Sequence, residues 1–183
     1  MSAFEFFFSF YGLILGLSAV EAVSGFTRLL RGRAEVRIGL LTPLLVGFVL
    51  LDIASFWVWG WRDFGDMNEV RYGVLIYYLA VAVAYYMAAS TVFPRDFSEW
   101  SDLDEYYDRH KRWVFGGLIF ANVASSTLTL IREQGGGPDL IWNALYFAGM
   151  IAAIFVKNRR VNLGLLVLLV GQYFYWALMT FRL

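Results

Sequence analysis

Cysteine is absent from the 183-residue chain, and histidine occurs once, as His110. The first absence excludes disulfides, thiolate metal sites and thiol catalysis. The second excludes a multi-histidine haem or di-metal centre, so no metal or other cofactor is expected. Charge is scarce as well. Charged residues make up 16% of the chain, against ~25% in an ordinary soluble domain. Net charge is zero, so nothing in the bulk charge points to a nucleic-acid partner. HExxH, GxSxG and phosphate-loop motifs are missing, and the chain is not read as an enzyme. The one catalytic alternative is an interfacial lipid-modifying site built on His110 with Asp104 and Asp108. A lone interfacial histidine is far more often a solvated side chain.

What fills the chain instead is apolar surface: 60% of residues are hydrophobic and 19% are aromatic. The excess lies in six long runs, at about 3–30, 38–59, 73–93, 113–131, 140–156 and 161–181. Each is near the ~20 residues that cross a ~30 Å hydrocarbon core as a helix. The expected fold is an all-α, polytopic membrane bundle of six transmembrane helices in a single domain, 1–183. The first run has no basic flank before it and is too long for a signal-peptide core, so it reads as a retained helix.

Sidedness follows from Lys and Arg. The first, third and fifth connections carry eleven of them, and the opposite side carries Arg62, Arg71, Arg132 and Arg182. The basic side is cytoplasmic by the positive-inside rule, which puts both termini outside. The implied setting is a multi-pass protein of the inner (plasma) membrane. Its partners would be membrane lipids and a homo-oligomer or larger membrane complex. Phe4, Phe6, Phe7, Phe8 and Tyr11, then Trp57, Trp59 and Trp61, then Trp113, fit belts at the headgroup level.

Three prolines punctuate the helices. Thr42-Pro43 is either an N-cap followed by proline in the first turn, or a kink in a helix begun near Arg37. Pro94 ends the third helix, and QGGGP at 134–138 reads as an outer turn. The segment 95–112 is the main polar piece, a cytoplasmic amphipathic extension running into the fourth helix. Ser101 and Asp104 have capping-box spacing, Glu105/Arg109 and Asp108/Arg112 are i,i+4 pairs, and Leu103, Tyr106, Tyr107 and His110 share a stripe. Asp104, Tyr107, His110 and Lys111 are its candidate docking residues.

Two acids lie within the apolar runs, Glu21 and Asp52. An acid in hydrocarbon costs ~2.5–3.5 kcal/mol at a helix centre, so each must hold a proton, bind a cation or sit in water. Depth, counted from segment midpoints, groups Tyr85 and Tyr86 with Glu21, Tyr78 and Asn143 with Asp52, and puts Asn122 and Gln172 at the midplane. The expectation is that Glu21 points inward, holds a proton and hydrogen-bonds Tyr85 or Tyr86. Residues 16–31 can be laid on 117–132 with Glu21 opposite Asn122, a weak sign of inverted halves. Two functions fit: a small proton- or cation-linked channel or carrier with a polar path near Glu21 and Asp52, or a non-catalytic accessory or scaffold subunit. The first requires a hydrated cavity at one of the acids.

Overall fold

In a computed structural model, which describes residues 2–31, 36–64, 69, 71–133 and 139–180, each apolar run is helical. The helices are α1 (Ala3–Arg31), α2 (Leu41–Phe64), α3 (Tyr72–Thr91), α4 (Leu103–Glu133), α5 (Asp139–Phe155) and α6 (Arg159–Thr180). Strands are absent among the described residues. Four helices, α1, α2, α3 and α6, are long and apolar enough to cross a membrane; the apolar stretch of α5, Ile141–Phe155, is shorter. The turn expected at 134–138, Arg33 of the first basic connection and Arg182 lie outside the described residues.

Local punctuation departs from expectation at two caps. Helix α2 starts at Leu41, with the Leu44 N–H donating to the Leu40 carbonyl at 3.2 Å. Pro43 therefore sits in the first turn, where a missing N–H breaks no helical bond. Thr42 is not the cap: its hydroxyl donates to the Leu103 carbonyl of α4 at 3.1 Å. At α4, Asp102 replaces the expected Ser101, its Oδ1 accepting from the Asp104 N–H at 2.9 Å. Asp104, freed from its own helix, instead accepts from the Leu41 N–H at 3.2 Å and caps α2 from across the molecule. Gly39 makes this possible, because a β-carbon there would overlap the Asp104 carboxylate.

Helix α4 runs unbroken from its polar first turns to Glu133, as the extension predicts. Glu105 and Arg109 pair at 2.6 Å. The second expected pair is not made: Asp108 turns to Arg159 of α6 at 2.9 Å, and the Arg112 guanidinium lies over the Trp113 ring.

The bundle is organised around α2 and α3. Helix α1 packs on both, α4 lies along α3 and touches α2, α6 lies along α2, and α5 bridges α4 and α6. Phe7, Tyr11, Leu15, Ser18, Ala22, Gly25 and Leu29 form the inward stripe of α1, the i+3/i+4 pattern of one helical face. Gly117 lets α4 approach α3 closely, since a β-carbon there would stand 3.1 Å from the Ala84 carbonyl oxygen. The inverted repeat gains no support: α1 packs on α3, but the corresponding α4 and α6 do not pack backbone to backbone among the described residues.

Helices α2, α4 and α6 all begin at one face, where the chain crosses between them. A parallel bridge joins Arg37 to Asp102, and Arg159 reaches both Asp102 at 3.1 Å and Asp108 at 2.9 Å.

Candidate functional site

Asp52 lies at the middle of the 24 residues of α2 and is fully buried. A carboxylate has two oxygens and about four lone-pair positions, and here four donors reach them. Oδ1 accepts from Tyr173 at 2.6 Å and Tyr146 at 2.8 Å; Oδ2 accepts from Tyr85 at 2.9 Å and the Asn122 side-chain amide at 3.1 Å. Tyr85 comes from α3, Asn122 from α4, Tyr146 from α5 and Tyr173 from α6. One carboxylate therefore joins five helices.

The donors are themselves fixed. Asn122 also donates to the Leu118 carbonyl at 2.9 Å and lies 3.2 Å from the Tyr85 hydroxyl. The Tyr146 and Tyr173 hydroxyls are 3.0 Å apart. Phe48 packs against the rings of Tyr146 and Tyr173, and Phe56 stands edge-on to Tyr85 at 4.8 Å. These rings keep the polar node inside an apolar shell, where each hydrogen bond is stronger than it would be in water.

Glu21 does not join this node, and its expected bond to Tyr85 or Tyr86 is not made. Its position is one residue, or ~100° of helix, away from Ala22 on the inward stripe. Its side chain is 33% exposed, with Oε1 3.6 Å from Arg28 Nη2. Arg28 lies in the last turn of α1, two turns from the acid and on the same side of the helix. Tyr85 is turned to Asp52, and Tyr86 is exposed.

The depth layers fail for a related reason. Helix α2 starts and ends later than the run 38–59, so Asp52 is central rather than displaced outward, level with Tyr85 and Asn122. Of its expected companions, Tyr78 is buried among Phe7, Tyr11 and Tyr77, Asn143 is exposed on α5, and Gln172 is half-buried on α6. Tyr146 and Tyr173 were missed. Their signal was available: a tyrosine at mid-helix in an apolar run must bring its hydroxyl to a partner.

The four docking candidates of α4 mostly hold the molecule together. Tyr107 is buried, donating to Asn162 Oδ1 of α6 at 3.1 Å. Lys111 is 6% exposed and donates to the Val156 carbonyl, just past the end of α5, at 2.5 Å. Burial lowers its ammonium below the ordinary lysine range, partly opposed by Asp108. Asp104 caps α2, and burial raises its carboxyl above the usual carboxylate range. His110 is half-buried and stacks on Tyr106 with ring centres 4.1 Å apart, while burial pushes the Tyr106 hydroxyl up to about 12. Tyr107 and Lys111 are thus not presented to a partner, because the stripe they occupy faces α5 and α6.

No group of three or more His, Asp or Glu side chains among the described residues is arranged to hold a metal ion. The chain matches no protein-family model, no curated protein and no solved structure.

Proposed function

We propose that the chain is a six-span integral membrane protein of the inner (plasma) membrane, with both termini outside, acting as a non-catalytic scaffold or accessory subunit. The apolar length of its helices supports the membrane placement, and the basic residues where α2, α4 and α6 begin support the sidedness. One observation carries the scaffold reading: the only deeply buried acid among the described residues spends all four acceptor positions on side chains of four other helices. A carboxyl group satisfied in this way leaves no acceptor position open for a cation or water, and it does what interhelical polar contacts do in membranes, which is to fix which helices pair.

A proton-linked carrier is the second reading. It is favoured by the triangle of Tyr146, Tyr173 and Asp52 Oδ1. When both hydroxyls donate to the carboxylate, no hydrogen lies in their mutual 3.0 Å contact, which leaves a place for one more proton.

Reconstitution separates the two. Vesicles holding the full chain are given a pH, sodium or potassium gradient and flux is followed, while a gentle-detergent preparation is tested for mass and stoichiometry. The scaffold reading expects flux no greater than in protein-free vesicles, and a stoichiometric partner or homo-oligomer. A flux that Asp52→Asn abolishes would establish the carrier, and a solitary monomer would count against the scaffold.

A further inference from the structure

The face where three helices begin contains a crevice of about 340 Å³, lined among others by Arg37, Leu41, Asp104, Arg159, Arg160 and Leu163. Its charges are unevenly committed. Asp104 faces the N-terminus of α2 and accepts from the Leu41 N–H, so its charge is offset by the helix dipole. Arg159 is held by Asp102 and Asp108. The guanidinium groups of Arg37 and Arg160 have neither an acid nor a hydrogen-bond acceptor among the described residues, although both line the same opening. The crevice therefore carries two uncommitted positive charges over a partly apolar floor.

What lies next to it is equally specific. Helix α6 is hardly covered by the rest of the chain. Counting from Arg160 in steps of three and four gives Gly164, Val167, Leu168, Gly171 and Tyr175, all exposed and all on one side of the helix. A β-carbon added at Gly164 or Gly171 meets nothing within 4 Å, so the stripe is notched and apolar, running from the arginines toward the far end of the helix.

We propose that this crevice binds the phosphate of an anionic phospholipid, Arg37 and Arg160 holding the headgroup while an acyl chain follows the Gly164–Gly171 stripe of α6. The proposal rests on the membrane placement given above, not on the scaffold role. A lipid fits better than a free anion because the site pairs cations with a long apolar track. A soluble phosphate would use only the first half of it. Arginine suits the headgroup because its planar fork can bind two phosphate oxygens at once.

The test uses the purified full chain titrated with phosphatidylglycerol or phosphatidylcholine. Retained lipid is counted by native mass spectrometry, and inorganic phosphate serves as a soluble competitor. Phosphatidylglycerol should be retained preferentially. Arg37→Gln combined with Arg160→Gln should cut that preference roughly 30-fold, at ~5-fold for each arginine near a membrane surface. Arg95→Gln, an exposed arginine outside the crevice, should leave it unchanged. Equal retention of the two lipids, an equal effect of Arg95→Gln, or displacement of the lipid by millimolar phosphate would each overturn the proposal. Should the double variant not fold, Gly164→Leu decides: it should lower lipid retention by filling the track, and unchanged retention is contrary. A chain that retains no lipid of either kind counts against the membrane placement itself, which separates the two failures.

Discussion

At the scale of single residues, the behaviour of Asp52 follows from counting donors. Removing one hydroxyl, as in Tyr173→Phe or Tyr146→Phe, leaves the carboxylate three donors, and each change should cost about 0.6–1.7 kcal/mol, the range of interhelical hydrogen bonds in a bundle. The two should be non-additive, since their hydroxyls are in contact and share Oδ1. Asp52→Asn should fold with an intermediate loss: its amide nitrogen faces two hydroxyls that can rotate to accept, while its oxygen keeps Tyr85 and Asn122. Thermal unfolding in detergent measures all three, and strictly additive tyrosine losses would contradict the shared-oxygen geometry. At Asp104 the prediction concerns pH. Burial raises its folded-state carboxyl above the unfolded value, so the folded chain holds a proton that the unfolded chain has released. That contribution is fully present below the unfolded value and is lost as pH rises through the folded one. Asp104→Asn should flatten the fall in stability across this window, and an unchanged pH profile would show that the carboxyl is not the source.

Elements show which parts of this were legible in sequence. Helix existence was readable because long apolar runs have few other folds, and the continuous α4 was readable from its charges and stripe. Partners were harder to read. Glu21 and Asp52 looked alike as acids in apolar runs, and what separated them was one position of helical phase and the true start of α2. Helix α2 spans Leu41–Phe64, starting and ending later than the apolar run 38–59, which shifts its midpoint and with it the depth matches of Asp52. Close approach at this scale can also be tested. Gly117 sits where α4 meets the α3 backbone at Ala84, so Gly117→Val should push the helices apart, cost about 1–3 kcal/mol as overpacking does, and weaken the bonds of Tyr85 and Asn122 to Asp52 together. Gly39→Ala should displace the Asp104 carboxylate and cost about 1 kcal/mol, like the loss of any N-cap. Combined with Asp104→Ala it should add almost nothing. A double variant losing the full sum would show that the two residues do not act through one cap.

For the whole molecule, the middle of the bundle and its basic end are fastened by different means. The middle is held by one carboxylate and four donors. The basic face is held by Arg159 on two acids, Lys111 on the α5–α6 turn and Tyr107 on Asn162. Salt should loosen the Arg159 contacts, because exposed ion pairs are screened, and leave the Asp52 node untouched. The central claim is that Asp52 is a clasp on which five helices depend, and the most direct measurement is the unfolding free energy of Asp52→Leu in the full chain. Leucine fills similar space but leaves three hydroxyls and an amide without their common acceptor, at roughly 1–3 kcal/mol for each group that finds no other partner. The expected loss is about 3 kcal/mol or more, larger than that of Asp52→Asn. A variant as stable as the wild-type chain would contradict it.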